Sequence, residues 1–236
     1  VFKEKTMLAM VLARGGSKGL KDKNIRPFLG HPLIAWCIKA AQDSEVFDLI
    51  VAYSDSPKIL ETAREYGAET IEEPPALAAD NVFITPAIQD LLVKVEKRWG
   101  RYDYVQLLQP TNPGVTSFQI RAAANQLISM RNGDMILGIH QYHDPTIVVK
   151  SLPWNHSLRG WYPQRFKGKN RQEVPPAYRI NGYIYLAKWD VWASGMDYLK
   201  SDIYAYVCHP EDDIDINTLY DFELAEWKMG REGRKF

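Results

Sequence analysis

Over the first 140 residues, unbroken apolar runs alternate with stretches in which apolar residues recur every three or four positions. Met7–Ala13 ("MLAMVLA") is apolar throughout, as a parallel strand covered on both faces requires. Pro32–Gln42 has helical spacing, with Leu33, Trp36, Cys37 and Ala40 on one face and Pro32 suited to the first turn. Leu49–Ser54 ("LIVAYS") predicts a second strand. "SPKILETAREYG" then predicts a helix with Ser56 as N-cap, Pro57 at the first position and Gly67 as the stop. "TPAIQDLLVKVEKRW" repeats this grammar: Thr85 caps, Pro86 follows, and Ile88, Leu91, Leu92, Val95 and Trp99 form the buried stripe. "YVQLLQP" predicts a strand ended by Pro110, "TSFQIRAAANQLISM" the next helix, and "DMILGIH" another strand. Such alternation implies an α/β fold, a mostly parallel sheet with helices on both faces.

Periodicity is lost between Gln141 and Pro176, where five prolines, two tryptophans and the cluster Arg165, Lys167, Lys169 and Arg171 fall together. This stretch, residues 141–176, reads as an arm inserted into one domain that spans residues 1–236. Regular patterns return with "GYIYLA", "IYAYVCH" and the closing helix "LYDFELAEWKM".

Composition narrows the function. Lys plus Arg and Asp plus Glu each total 29 in 236 residues, so no overall field favours nucleic acid or an anionic membrane, and an anion site has to be local. No apolar stretch reaches the ~18 residues of a membrane span. Cys37 and Cys208 lie within apolar patterns, lack metal-ligand spacing and read as reduced core residues of a cytoplasmic protein.

Local charge is found just past the first strand. "ARGGSKGLKDKN" (Ala13–Asn24) holds three glycines with Arg14, Lys18, Lys21 and Lys23. Ligands of open α/β sheets bind beyond the carboxyl ends of the strands, and successive N–H groups of a glycine-rich turn form an anion-binding concavity. The spacing is neither a dinucleotide fingerprint nor a P-loop, so a phosphate cradle competes only with a solvated basic loop. "LLQPTNP" puts Gln109, Thr111 and Asn112 past another strand, as a polar site or as a helix-capping turn. "YRINGYIYL" sets Arg179 and Asn181 just before an aromatic-rich strand, with Gly182 permitting a close approach or simply starting the strand. "EDDIDIN" places Asp213, Asp215 and Asn217 on alternate positions, which in a strand would share one face, opposite Ile214 and Ile216. Like charges so placed call for a cation, and hard oxygen donors suit Mg2+; the alternative is a solvated acidic turn.

Together, "LARGGSKGLKDKN", "LLQPTNP", "RQEVPPAYRINGYIYL" and "DIDINTLYDFELAE", in this order, resemble the CMP-sialic acid synthetases (N-acylneuraminate cytidylyltransferases) over essentially the whole chain. The resemblance implies a Rossmann-like nucleotidyltransferase fold with an inserted dimerisation arm. It implies a Mg2+-dependent transfer of CMP from CTP to a 2-keto acid sugar, with release of pyrophosphate. Ala13, Arg14, Gly15, Ser17, Lys18, Lys23 and Asn24 fall on the nucleotide-binding motif, with Arg14 and Lys18 on the triphosphate and Asn24 on the ribose or cytosine. Gln109 matches a glutamine near the acceptor, and Arg171, Arg179, Asn181 and Tyr185 fall on substrate-recognition positions. The family's arm reaches across a homodimer, which would let Arg171 serve the neighbouring site. Asp215 matches the first aspartate of the metal pair. Asn217 stands where the second is expected, so either Asn217 or Asp213 completes the site. Val82, Phe83 and Val115 depart from the family pattern near the acceptor, which leaves the acceptor open among sialic, pseudaminic and legionaminic acids, eight-carbon keto sugars and phosphonates. A non-catalytic CTP-binding protein is the alternative of another class.

Overall fold

A computed structural model describes residues 1–16, 19–79, 82–142, 154, 167–195, 201–209 and 212–236. The chain runs β1 (Met7–Leu12), β2 (Pro27–Phe28), β3 (His31–Pro32), α1 (Leu33–Ser44), β4 (Leu49–Ser54), α2 (Pro57–Glu65), β5 (Glu69–Glu72), α3 (Ile84–Trp99) and β6 (Tyr104–Leu108). It continues through α4 (Ser117–Ser129), β7 (Met135–Tyr142), β8 (Ala177–Lys188), α5 (Trp189–Ala193), β9 (Ile203–Val207) and α6 (Leu219–Arg231). Seven strands form one sheet in the order β5-β4-β1-β6-β8-β7-β9, and β2 and β3 make a small separate hairpin. All neighbours pair in parallel except along β8, which runs against both β6 and β7. The expected mostly parallel α/β sheet is what forms.

The apolar runs explain the layering. In β1, Met7, Ala9 and Val11 face α1, α2 and α4, whereas Leu8 and Met10 face α3 and α5. Both faces are fully covered, and each large side chain so buried contributes roughly 1.5–3 kcal/mol. A third apolar cluster joins Leu20, Phe28, Leu33 and Trp36 to Ile214, Ile216 and the α6 residues Phe222, Ala225 and Met229. That cluster packs the segment before α6 against the chain following β1.

Several local expectations need correction. Helix α3 starts at Ile84 with Phe83 in the N-cap position, so Thr85 and Pro86 lie inside its first turn. The first N–H groups of a helix have no intrahelical partner, and proline is therefore tolerated there. Ser56 holds the N-cap position of α2, but its side chain makes no capping bond. Arg179 and Asn181 do not precede a strand; they are inside β8, which starts at Ala177. Asp213, Asp215 and Asn217 are not in a strand, although Ile214 and Ile216 are buried as the alternation requires. Most of the expected arm, 143–153 and 155–166, lies outside the described residues.

Candidate active site

The strand order reverses at β1, whose neighbours are β4 and β6, and the chain leaves its carboxyl end as the cationic loop. Such a switch point opens a crevice beyond the strand ends. Ala13 N–H donates to the Tyr53 carbonyl (3.0 Å) and Gly15 N–H to Asp55 Oδ1 (2.7 Å), so the loop starts anchored to the end of β4. Asn24 is buried and donates its amide to the Arg14 carbonyl (2.9 Å), closing the loop on itself.

From the other side, the segment Asp213–Asn217 comes up against this loop. Lys23 Nζ donates to the Ile216 carbonyl at 2.9 Å. Gly19 lies so near the Asn217 carbonyl oxygen that a Cβ there would fall inside contact distance; only glycine allows the approach. Burial lowers the Lys23 pKa; the nearby Asp215 carboxylate opposes this and the nearby Arg14 adds to it. Arg14 and Asp215 therefore flank one lysine and share one side of the molecule. The segment forms no ladder because its backbone groups bond elsewhere: Ile216 N–H to the Thr111 carbonyl (2.9 Å) and Ile214 N–H to the Tyr183 hydroxyl (2.8 Å). The Ile214 carbonyl accepts from Asn112 Nδ2 at 2.9 Å. A capping box of Thr218 and Asp221 starts α6, and Asp221 also accepts from Asn217 N–H at 3.0 Å.

Because β8 is antiparallel, its early residues arrive where β6 ends. Tyr185 pairs with Leu107, so Gly182 and Asn181 project beyond Leu108 toward Gln109 and Asn112. Gly182 has φ +80°, and a Cβ there would meet Asn112 Oδ1 at 2.8 Å. Two hollows result. A cleft of about 620 Å3 is lined by Arg14, Lys23, Asn24, Glu73, Gln109 and Asn217, among others. A recess of about 170 Å3 takes in Gln109, Arg179, Asn181, Tyr185, Asp213 and Asp215. Gln109 borders both, so the two hollows lie on either side of that residue.

Most of the residues singled out in the sequence converge here. Ala13, Arg14, Lys23, Asn24, Gln109 and Asn217 line the cleft, and Arg179, Asn181, Tyr185, Asp213 and Asp215 line the recess. Gly15 anchors the loop to Asp55 and is not part of the cleft wall. Ser17 and Lys18 lie outside the described residues, as does the side chain of Arg171, whose backbone forms a 3-10 turn, Arg171–Glu173. Asp213 and Asp215 part company. Arg179 Nη2 pairs with Asp213 Oδ2, and His140 Nε2 lies 3.2 Å from the same oxygen. Asp215 is exposed and accepts from Asn217 Nδ2 at 2.9 Å. Sequence reasoning missed Asp55, His140 and Glu73; only the acidic pair of "IEEPP" at a strand end hinted at the last.

Among the described residues, no group of three or more His, Cys, Asp or Glu side chains could cage a metal ion. Mg2+ needs no such cage: it is held by one or two carboxylates together with water and substrate phosphates. The hard oxygens of Asp215 and Asn217, next to the cationic loop, fit that requirement.

The fold and these hollows define an α/β protein with a cleft of about 620 Å3, walled in part by a cationic glycine-rich loop, at its switch point. A family model described as cytidylyltransferase matches residues 8–204, and the chain belongs to that family. The chain is 28% identical over 219 residues to an N-acylneuraminate cytidylyltransferase of Escherichia coli, covering 93% of this chain and 51% of the relative. It thus spans about half the length of that relative. A pseudaminic acid cytidylyltransferase of Campylobacter jejuni is 29% identical over 228 residues, covering 95% of this chain and 97% of the relative. A solved CMP-2-keto-3-deoxy-manno-octonic acid synthetase complexed with CTP superimposes with a TM-score of 0.72 at 16% identity, covering 96% of this chain and 99% of that one. At that identity the likeness shows the fold.

Proposed function

We propose that the chain transfers the cytidylyl group of CTP to the anomeric hydroxyl of an acidic 2-keto sugar of the sialic acid kind, releasing pyrophosphate. One observation carries this reading: a cationic glycine-lined loop clamped against Asp215–Asn217, with Gln109 joining that cleft to a polar recess. The family membership and the names of the relatives support the same chemistry.

In the reaction the anomeric oxygen attacks the α-phosphorus in line with the departing pyrophosphate. One P–O bond forms as another breaks, and the hydroxyl proton passes to water in the open cleft. Such a transfer asks little covalent work of the protein, so alignment and charge neutralisation dominate. Arg14, Lys18 and Lys23 meet the charge that grows on the leaving group. Ala13 and Gly15 tie the loop to the end of β4 through their N–H groups, Ser17 gives a hydroxyl contact along the phosphates, and Asn24 holds the loop and the nucleoside end. Gln109 orients the attacking hydroxyl. Arg179, or Arg171, grips the sugar carboxylate through a guanidinium fork. Asn181 and Tyr185 face the sugar. Asp215, with Asn217 or Asp213, would hold Mg2+, which supplies neutralisation of the phosphate oxygens and acidifies the attacking hydroxyl.

The recess itself supports a polar acceptor. Asn112 Oδ1, Asn181 Nδ2 and Asp213 Oδ1 are buried with no hydrogen-bond partner among the described residues. Orphaned atoms of this kind cost about 1–3 kcal/mol each, and because they are closed off behind the recess wall, a hydroxyl-rich ligand relieves them only by shifting Asn112, Asn181 or Asp213.

The proposed partner is a second copy of the chain, with residues 141–176 as the arm between the two. Phe118, Tyr178, Ile180 and Val207 are exposed apolar residues of α4, β8 and β9 near the start of that stretch. Among the described residues no helix is long and apolar enough to cross a membrane. The two cysteines are free and buried, in keeping with a cytoplasmic setting.

Pyrophosphate release measured with CTP, Mg2+ and a panel of nonulosonic acids, eight-carbon keto sugars and phosphonates tests the reading. Turnover with at least one 2-keto acid is expected. Binding of CTP without release of pyrophosphate for any acceptor would leave a CTP-binding protein and no transferase.

A further inference from the structure

Within reach of Arg14, the cleft wall carries a carboxyl that the reaction above does not use. Glu73 follows β5, donates its N–H to the Ser54 carbonyl at 2.9 Å and is 5% exposed, yet it lines the cleft. None of the described side chains donates a hydrogen bond to its carboxyl. Beside it the wall is apolar, made by Leu77, Ala78, Val82, Ile84 and Ala87. An apolar wall with one acidic group repels phosphate and suits a flat heteroaromatic ring with polar edges.

The groups facing Glu73 come from three directions. Asp55 follows β4, Arg14 follows β1, and Asp90 and Lys94 lie on α3, with the Tyr53 hydroxyl of β4 donating to Asp90. Burial, Asp55 and Asp90 push the Glu73 carboxyl up to about 7, against the pull of Arg14 and Lys94. A substantial fraction of the molecules therefore carries a neutral carboxyl at physiological pH.

A neutral carboxyl presents one donor beside one acceptor. The outer edge of cytosine presents the complement, the N3 lone pair beside the N4 amino group. A carboxylate would instead set an oxygen against the N3 lone pair. We propose that the carboxyl of Glu73 reads the cytosine base, donating its O–H to N3 and accepting an N4 amino hydrogen. The inference rests on the reading that this cleft takes CTP with its triphosphate at Arg14 and Lys23. The same carboxyl, rotated, can also face N3–H and O4 of uracil, so base preference is no test of this contact. Proton dependence is.

The test is calorimetric titration of Mg2+-saturated CTP, whose γ-phosphate is already ionised, into wild type and Glu73→Gln between pH 5.5 and 8.5. Wild-type Kd should rise about tenfold per pH unit above pH 7, and binding near pH 7 should take up roughly half a proton. The amide of Glu73→Gln also has one donor beside one acceptor. That variant should keep the low-pH affinity up to pH 8.5 and take up no proton. Glu73→Ala should bind about tenfold more weakly than wild type at pH 6. Parallel pH profiles for wild type and Glu73→Gln overturn the role of Glu73 while leaving CTP as the ligand, and so does a flat wild-type profile without proton uptake. If wild type does not bind CTP at any pH, the proposed function and this contact fall together.

Discussion

The two hollows that meet at Gln109 differ in how fully the protein completes them. On the triphosphate side, Asp55 holds Gly15, Asn24 holds the Arg14 carbonyl, Lys23 holds the Ile216 carbonyl, and Gly19 is pressed against Asn217. On the acceptor side, buried oxygen and nitrogen atoms of Asn112, Asn181 and Asp213 have no partner among the described residues. Neighbouring elements anchor the first half through its described residues, whereas the second keeps buried polar atoms that its own neighbours leave unpaired. Preorganised charge lowers a barrier because nothing has to reorient when the leaving group departs. Unsatisfied polar atoms behind the recess wall favour recognition by rearrangement, since an acceptor that lets Asn112, Asn181 or Asp213 turn toward it gains a bond the site otherwise lacks. Changes in the first half should therefore act on every acceptor alike, and changes in the second should sort one acceptor from another.

The largest expected effect is that of Asp215→Ala. Loss of the carboxylate should lower Mg2+-dependent pyrophosphate release by at least about a thousandfold, several kcal/mol of transition-state stabilisation. An unchanged rate would move the metal site elsewhere. Arg14→Ala follows at roughly 10²–10³-fold in kcat. Near wild-type turnover there would remove the triphosphate side of the contrast.

Gly19→Ala tests the clamp itself. The added Cβ must push the loop off Asn217, at a cost of about 1–3 kcal/mol in stability. Across an acceptor panel, kcat/KM should fall by one common factor, and a fall that varies with the acceptor would erase the distinction between the halves. Asp213→Asn should do the opposite, because it weakens the pair with Arg179 at the edge of the recess. The KM for acceptor should rise about tenfold while that for CTP stays within about twofold. A raised Mg2+ requirement in this variant would instead make Asp213 the second metal ligand in place of Asn217.

The last effect is one of stability alone. The Glu73 carboxyl is raised from 4.5 to about 7 in the folded chain, so the fold binds that proton more tightly than the unfolded chain does. The contribution is fully present below pH 4.5 and lost as pH rises through about 7. Glu73→Gln should therefore melt higher than wild type at pH 8, by on the order of 1–3 kcal/mol, with the gap closing below pH 5. A gap that does not depend on pH would mean the carboxyl is not held in its neutral form.

Much of this was legible from residue order. The unbroken apolar run at β1, the helical stripe of α3 and the βα alternation dictate a covered parallel sheet, and the glycine-rich cationic loop marks its switch point. Helix starts were less legible. Pro86 reads as a boundary, but a first turn needs no partner for its N–H groups, so α3 begins two residues earlier. The alternation of Asp213, Ile214, Asp215, Ile216 and Asn217 left a strand and an acidic turn both open; Ile214 and Ile216 are buried, and the segment is not a strand. Apolar residues at every second position describe an extended segment with one buried side, whatever its backbone groups bond to.

Residue order alone settled the long strands and helices of the sheet and its layers, which residue types can bind phosphate or metal, and that any anion site had to be local. Those properties belong to single elements and their periodicity. Folding decided what meets what: that antiparallel β8 carries Arg179 and Asn181 to the end of β6, and that Asp213 goes to Arg179 and His140 while Asp215 stays beside Lys23 and Asn217. It also set Glu73 in the cleft among Asp55, Asp90 and Arg14. Such pairings join residues up to nearly two hundred positions apart, where the chain's own geometry imposes no distance and only packing does.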